Sequence, residues 1–242
     1  MPELGLHHDL KRRYNWRMDQ ACATRWKVLQ QINESCEAVG RSPDSISLLA
    51  VSKRQSVIAI RELADCGQKA FGENYLQEAK DKIEALGDLD LQWHFIGPLQ
   101  SNKTASVASL FDWVHTVDRE KIARRLNKQR PSALEPLNIC LQINISGESS
   151  KSGMAPAQLP EMLKIMPELT RLKLRGLMAL PAPTSDITEQ RDAFRRLRDL
   201  YEKTIGPEID TLSIGTSSDY QAAIAEGATM VRIGTALFGE RS

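Results

Sequence analysis

Eight short apolar runs that alternate with helical stretches constrain this chain more than any other feature. The runs are Ile46–Val51, Lys69–Phe71, Gln92–Ile96, Trp113–Thr116, Asn138–Asn144, Lys173–Met178, Thr211–Ile214 and Met230–Ile233. Helical periodicity lies between them, at Val57–Cys66, Tyr75–Ala85, Arg119–Lys128, Gln158–Met166, Ile187–Lys203 and Tyr220–Ala225. Strands separated by helices call for a parallel sheet, and eight such units predict an α/β fold closed into a single (β/α)8 TIM barrel. A doubly wound open sheet is the alternative. An extra N-terminal helix is expected over Met18–Val39, where Ala21, Val28, Leu29, Ile32 and Cys36 form a stripe and Gly40 can cap the end. Residues 1–17 are polar and are expected to form an irregular or disordered extension, leaving 18–242 as the barrel domain.

The length of 242 residues suits one barrel. A formal net charge of +1 gives no electrostatic reason to expect nucleic acid or an anionic membrane surface as partner. Met1–Arg17 lacks the apolar core of a signal peptide, and no run of about 18 apolar residues is present to span a bilayer. Cys22, Cys36, Cys66 and Cys140 are scattered without a C-x-x-C spacing, so reduced thiols and a cytoplasmic location are expected.

Chemistry in such barrels sits at the carboxyl ends of the strands. The run Ser47-Leu48-Leu49-Ala50-Val51-Ser52-Lys53 stops there on a lysine. An amine partly shielded from water loses preference for the charged form and can attack an aldehyde, although a solvated loop lysine is the commoner case. Two later units, Leu212–Asp219 and Met230–Ala236, each run from a strand into a turn of Gly, Ser and Thr. Such turns offer backbone N–H groups and hydroxyls to a phosphate, and barrel phosphate sites fall after strands seven and eight. Ser217 or Ser218 as a helix cap is the alternative. Arg232, flanked by Val231 and Ile233, either points into the barrel toward a ligand or faces out to a helix carboxylate. Asn74 ends the second strand and can orient a ligand or cap the next helix. His94 reads as a core histidine more readily than a catalytic one, and His94 and His115 lack partners at metal-ligand spacing. Lys151, in the long loop Asn144–Gly153, is a second candidate cation, and Arg191–Arg198 reads as a solvated helix face of mixed charge.

The strings Leu-Leu-Ala-Val-Ser-Lys (48–53), Phe-Gly-Glu-Asn-Tyr (71–75), Trp-His-Phe-Ile-Gly-Pro-Leu-Gln-Ser-Asn-Lys (93–103), Arg-Gly-Leu-Met-Ala (175–179) and Met-Val-Arg-Ile-Gly-Thr-Ala-Leu-Phe-Gly (230–239) closely resemble the YggS/PROSC family of pyridoxal 5′-phosphate (PLP) homeostasis proteins. The resemblance runs from about Met18 to Gly239. It implies a barrel like the N-terminal domain of alanine racemase and PLP as cofactor, held as a Schiff base on Lys53. It further implies Arg232 at the pyridine nitrogen, Ser217, Gly234 and Thr235 at the phosphate, and Lys151 near the pocket. The family often has Met where this chain has Thr216, which leaves the backbone and Ser217 in place.

The expected function is therefore a non-catalytic carrier that limits free PLP and supplies it to apo-enzymes as partners. An amino-acid racemase dependent on PLP is the alternative. Its second base must come from the barrel or a partner, since only Ala236–Ser242 follow the last strand. A cofactor-free Schiff-base aldolase fits the barrel logic but not the resemblance. A monomer is the expected state.

Overall fold

All eight strands form and close on themselves. They are β1 (Ser47–Val51), β2 (Ala70–Glu73), β3 (Gln92–Phe95), β4 (Trp113–Val117), β5 (Leu137–Gln142), β6 (Leu172–Met178), β7 (Thr211–Thr216) and β8 (Met230–Ile233). Each pairs in parallel with the next, and β1 pairs with β8 through Ser47–Ala50 against Met230–Ile233. That last pairing excludes the open sheet. The computed structural model describes residues 3–148, 152–204, 206 and 209–239.

One helix follows each strand in turn: α2 (Val57–Asp65), α3 (Leu76–Ala85), α4 (Thr104–Leu110), α5 (Glu120–Gln129), α6 (Leu159–Ile165), α7 (Ile187–Thr204), α8 (Tyr220–Ala225) and α9 (Thr235–Phe238). The Ser-rich sequence of α4 carries little helical signal. It is helical because Thr104, Val107 and Ala108 bury one face against the sheet. The main core lies between strands and helices, with Phe71, Phe111 and Phe194 among its largest fully buried side chains, while Leu49 packs in a separate cluster with Ile96 and Met230.

Three expectations are corrected here. The first helix, α1, runs from Glu3 to Glu37, so the segment expected to be irregular is helical from residue 3. After Pro2 that segment holds no proline, and Gly5 is its only strong helix-weakening residue. The second correction concerns the cysteines. Cys22 on α1 and Cys66 just past α2 are disulfide-bonded, with Cα atoms 5.1 Å apart. Cys36 and Cys140 are free and buried. The sequence separation of 44 between Cys22 and Cys66 hides the pairing from any local motif. The third is the arginine run of α7. Arg191, Arg195 and Arg198 converge on Glu226, whose side chain is buried just beyond α8, so that face is docked as well as charged. Among the described residues no helix is long and apolar enough to cross a membrane.

Candidate cofactor site at the carboxyl end of the barrel

Lys53, Asn74, Ser217, Arg232, Gly234 and Thr235 all line one cavity of about 340 Å³ at the carboxyl ends of the strands. They come from β1, β2, β7 and β8, which barrel closure brings together. Val51, Ile96, Leu180, Thr216 and Ser218 complete the wall. Lys151 lies outside the described residues. A larger cleft of about 660 Å³ flanks α7 and the loop after β6, where Arg195 and Asp192 pair with each other at its rim.

β1 ends at Val51, and Lys53 sits two residues further on, half-buried, in a turn. The strand thus stops earlier than the apolar run suggests, and the lysine rides on the turn.

Arg232 points inward. It is 4% exposed, and its guanidinium donates to Ser213 O at 2.5 Å, Ser213 Oγ at 2.8 Å and Ala179 O at 2.9 Å. The outward reading is excluded. Burial lowers its pKa to about 10, which leaves it protonated at neutral pH. Behind it, His115 Nδ1 lies 2.9 Å from Ser213 Oγ, and His115 Nε2 lies 2.9 Å from His94 Nδ1. The histidines that sequence spacing leaves apart are thus joined inside the barrel, because β3 and β4 are neighbours in register His94↔Trp113. Neither lines the cavity. Ser213 raises no functional expectation in the sequence, and His115 only that of a metal ligand without partners. The available signal was a polar residue alternating with apolar ones, Ser213 between Leu212 and Ile214.

Asn74 does not cap α3, whose cap position is Tyr75 and receives no side-chain bond. Its Oδ1 is buried and has no hydrogen-bond partner among the described residues. An amide oxygen in that state is costly unless something else satisfies it. Gly97 lets the β3 loop pass against the Asn74 backbone, since a Cβ there would fall 2.1 Å from Asn74 O.

The serines of the β7 turn do not cap α8 either; Asp219 occupies that position. Ser217 Oγ instead accepts from the Gly234 amide at 3.3 Å, which ties the β7 turn to the β8 turn. Asp219 Oδ1 accepts from the Thr216 amide at 2.6 Å and from Thr216 Oγ1 at 2.8 Å, fixing the β7 turn. Gly215 has φ +89° at the irregularity in the β7–β8 register, a left-handed backbone that a Cβ would oppose by meeting Ala223 Cβ at 2.7 Å. The two turns form a cup of amides and hydroxyls suited to an anion.

The family model described as "Alanine racemase, N-terminal domain" matches residues 29–242. The chain belongs to that family. Within the alanine racemase N-terminal domain family, a relative from Pseudomonas aeruginosa called "Pyridoxal phosphate homeostasis protein" is 56% identical over 216 residues, covering 89% of this chain and 93% of the relative. An Escherichia coli K12 relative of the same name is 54% identical over 220 residues, covering 89% of this chain and 94% of the relative. The solved structure of PipY from Synechococcus elongatus PCC7942, with PLP bound, superposes with a TM-score of 0.74 at 37% identity, covering 86% of this chain and 100% of PipY. Alanine racemase from Corynebacterium glutamicum shares the fold at a TM-score of 0.69 and 19% identity, covering 92% of this chain and 62% of that one. The resemblance read from the five sequence strings is borne out by these relatives.

Proposed function

We propose that this chain is a PLP-binding homeostasis protein that holds the cofactor in the 340 Å³ cavity and releases it to apo-enzymes. The observation that carries this reading is the convergence of an amine (Lys53), a buried cation (Arg232) and an amide–hydroxyl cup (Ser217, Ser218, Gly234, Thr235) on one cavity. PLP-bound PipY and the homeostasis relatives support it. The residues present fit the group. The cup suits its phosphate, Gly234 leaves room where a Cβ would press on Val51 O at 3.2 Å, and the buried Asn74 Oδ1 offers an acceptor that the described protein leaves unused.

Lys53 would hold the group through its amine, and PLP, when bound, would supply the reactive aldehyde. Each other contribution belongs to the protein. Ser217 and the Gly234 and Thr235 amides would hold the phosphate. Arg232, permanently charged, would meet the pyridine nitrogen as a donor and keep it unprotonated, which disfavours carbanion chemistry. Leu180 and Ile96 contribute to the apolar part of the cavity wall. A racemase needs a second base across the ring from Lys53. Among the described lining residues the ionisable ones are Lys53 and Arg232, and an arginine of pKa about 10 is no base at neutral pH. This favours a non-catalytic carrier, which we take to act as a monomer in the cytoplasm.

The test is the visible spectrum of the purified protein with PLP, followed by borohydride trapping and peptide mass mapping. A trapped adduct on Lys53, lost in Lys53→Ala, is expected. A protein that never colours with PLP would refute the reading, and deuterium exchange at the α-carbon of amino acids would restore the racemase.

A further inference from the structure

Lys53 stands between two residues gripped by one buried ion cluster. Lys82, on α3, is 4% exposed and Glu73, at the end of β2, is 0% exposed. Lys82 Nζ donates to Ser52 O at 2.7 Å, Glu73 Oε1 at 2.8 Å and Glu78 Oε1 at 2.5 Å, so its three donors meet three acceptors. Ser52 Oγ donates to Glu73 Oε1 at 2.6 Å. Glu78 Oε1 also accepts from the Arg54 backbone amide. The residue before Lys53 is therefore held by its carbonyl and hydroxyl, and the residue after it by its N–H. Arg54 has φ +62°, the left-handed region that a side chain with Cβ disfavours, so this turn needs an external hold.

A purely structural role is a poor account of the cluster. A buried ammonium and carboxylate seldom stabilise a fold better than apolar residues of the same size. What these charges provide that an apolar trio would not is a grip on the peptide groups flanking Lys53. Neighbouring α3 supplies two of them, Glu78 and Lys82, on one face at i, i+4 spacing.

We propose that Lys82, acting through Glu73 and Glu78, is the positioning device for Lys53, setting the turn so that its amine meets the aldehyde in the cavity. This rests on the reading of Lys53 as the PLP-capturing residue. Lys82, Glu73 and Glu78 do not line the cavity; they act through the backbone of residues 52–54. A misplacement of about 1 Å at a reacting atom can cost roughly a hundredfold in rate, so a loosened turn should slow covalent capture while leaving the phosphate cup intact.

The experiment compares wild type, Lys82→Met, Glu78→Ala and Glu78→Gln. Two readouts are taken: affinity for pyridoxine 5′-phosphate, which has the ring and phosphate but no aldehyde, and the pH profile and rate of borohydride-trapped adduct on Lys53 with PLP. Lys82→Met and Glu78→Ala should bind pyridoxine phosphate within about threefold of wild type yet trap PLP roughly tenfold or more slowly. Glu78→Gln keeps an acceptor oxygen for Arg54 and Lys82 and should recover most of the rate. Trapping at wild-type rate in both Lys82→Met and Glu78→Ala overturns the proposal. So does a parallel loss of pyridoxine phosphate affinity and trapping, which marks a general structural role. If Lys82→Met does not fold, the half-buried Glu78 pair of variants decides alone. Absence of any Lys53 adduct in wild type would instead sink the reading beneath it.

Discussion

His115 Nδ1 and Arg232 Nη1 meet at one atom, Ser213 Oγ, at 2.9 and 2.8 Å. A guanidinium only donates, so the hydroxyl accepts from Arg232. Its own proton is satisfied if it donates to His115 Nδ1, which then carries its proton on Nε2 and donates it to His94 Nδ1. The chain ends at His94 Nε2, which is buried and has no partner among the described residues. A neutral pair of histidines therefore backs a charged arginine.

Ser213→Ala should cut this chain in the middle. Arg232 keeps the carbonyls of Ser213 and Ala179, but His115 Nδ1 and one guanidinium N–H lose their partner in a buried site. Leaving such groups unsatisfied costs about 1–3 kcal/mol, which urea denaturation will read directly. If Arg232 meets the pyridine ring as proposed, the absorption band of bound PLP should also move.

The same histidines set a pH dependence. Burial lowers His94 to about 3, and burial, then the charges of His94 and Arg232, lowers His115 well below 6.5. In the unfolded chain both bind protons near pH 6.5. Below that value the unfolded state binds more protons than the folded one, so stability is complete above about pH 6.5 and falls as the solution is acidified, by up to about 1.4 kcal/mol per pH unit for each histidine. Glu73 runs the other way: burial raises its carboxyl, so its contribution fades as pH rises. Urea midpoints from pH 7.5 down to 4.5 should fall more steeply for wild type than for His94→Gln, and equal slopes would remove the histidines from the account.

Gly97→Ala should disturb the site from behind. The added Cβ meets the Asn74 carbonyl oxygen at 2.1 Å and its Cα at 2.7 Å, backbone atoms that cannot rotate away. The β3 loop must shift, at an overpacking cost of about 1–3 kcal/mol. Because Asn74 lines the cavity, affinity for pyridoxine 5′-phosphate should fall with thermal stability, whereas Gly40→Ala, where a Cβ meets nothing within 4 Å, should leave affinity unchanged.

The barrel was legible because strand runs such as Leu48–Val51 and Met230–Ile233 are short, apolar and bounded by turn residues, and closure follows once eight are counted. That Lys53, Ser217, Arg232 and Gly234 line one cavity was legible because strand ends hold the chemistry of this fold, whatever the loops between them do. The supporting shell was not. Lys82 reads as a helix-surface lysine paired with Glu78, and only the packing of α3 on β2 carries it to Ser52 O. His94 and His115 are 21 residues apart and meet through strand register, as Cys22 and Cys66 meet through the docking of α1 on α2. Such pairings depend on long-range geometry that no window of sequence contains.

Reduction of the Cys22–Cys66 bond should loosen α1 from the barrel. The bond closes a loop of 44 residues, and cross-links of that span restrict the unfolded chain by about 2–4 kcal/mol. Thiol titration of the denatured, unreduced protein should therefore find Cys36 and Cys140 alone, and all four cysteines after reduction. Dithiothreitol and the double variant Cys22→Ser/Cys66→Ser should lower the urea midpoint by the same amount and should not add to each other. The cavity is lined by residues at and just past the carboxyl ends of the strands, and neither cysteine lines it. Pyridoxine phosphate affinity at 25 °C should accordingly survive reduction, while resistance to proteolysis within α1 should drop. Four reactive thiols in the unreduced protein, with no change in midpoint on adding dithiothreitol, would show that α1 is held by packing alone.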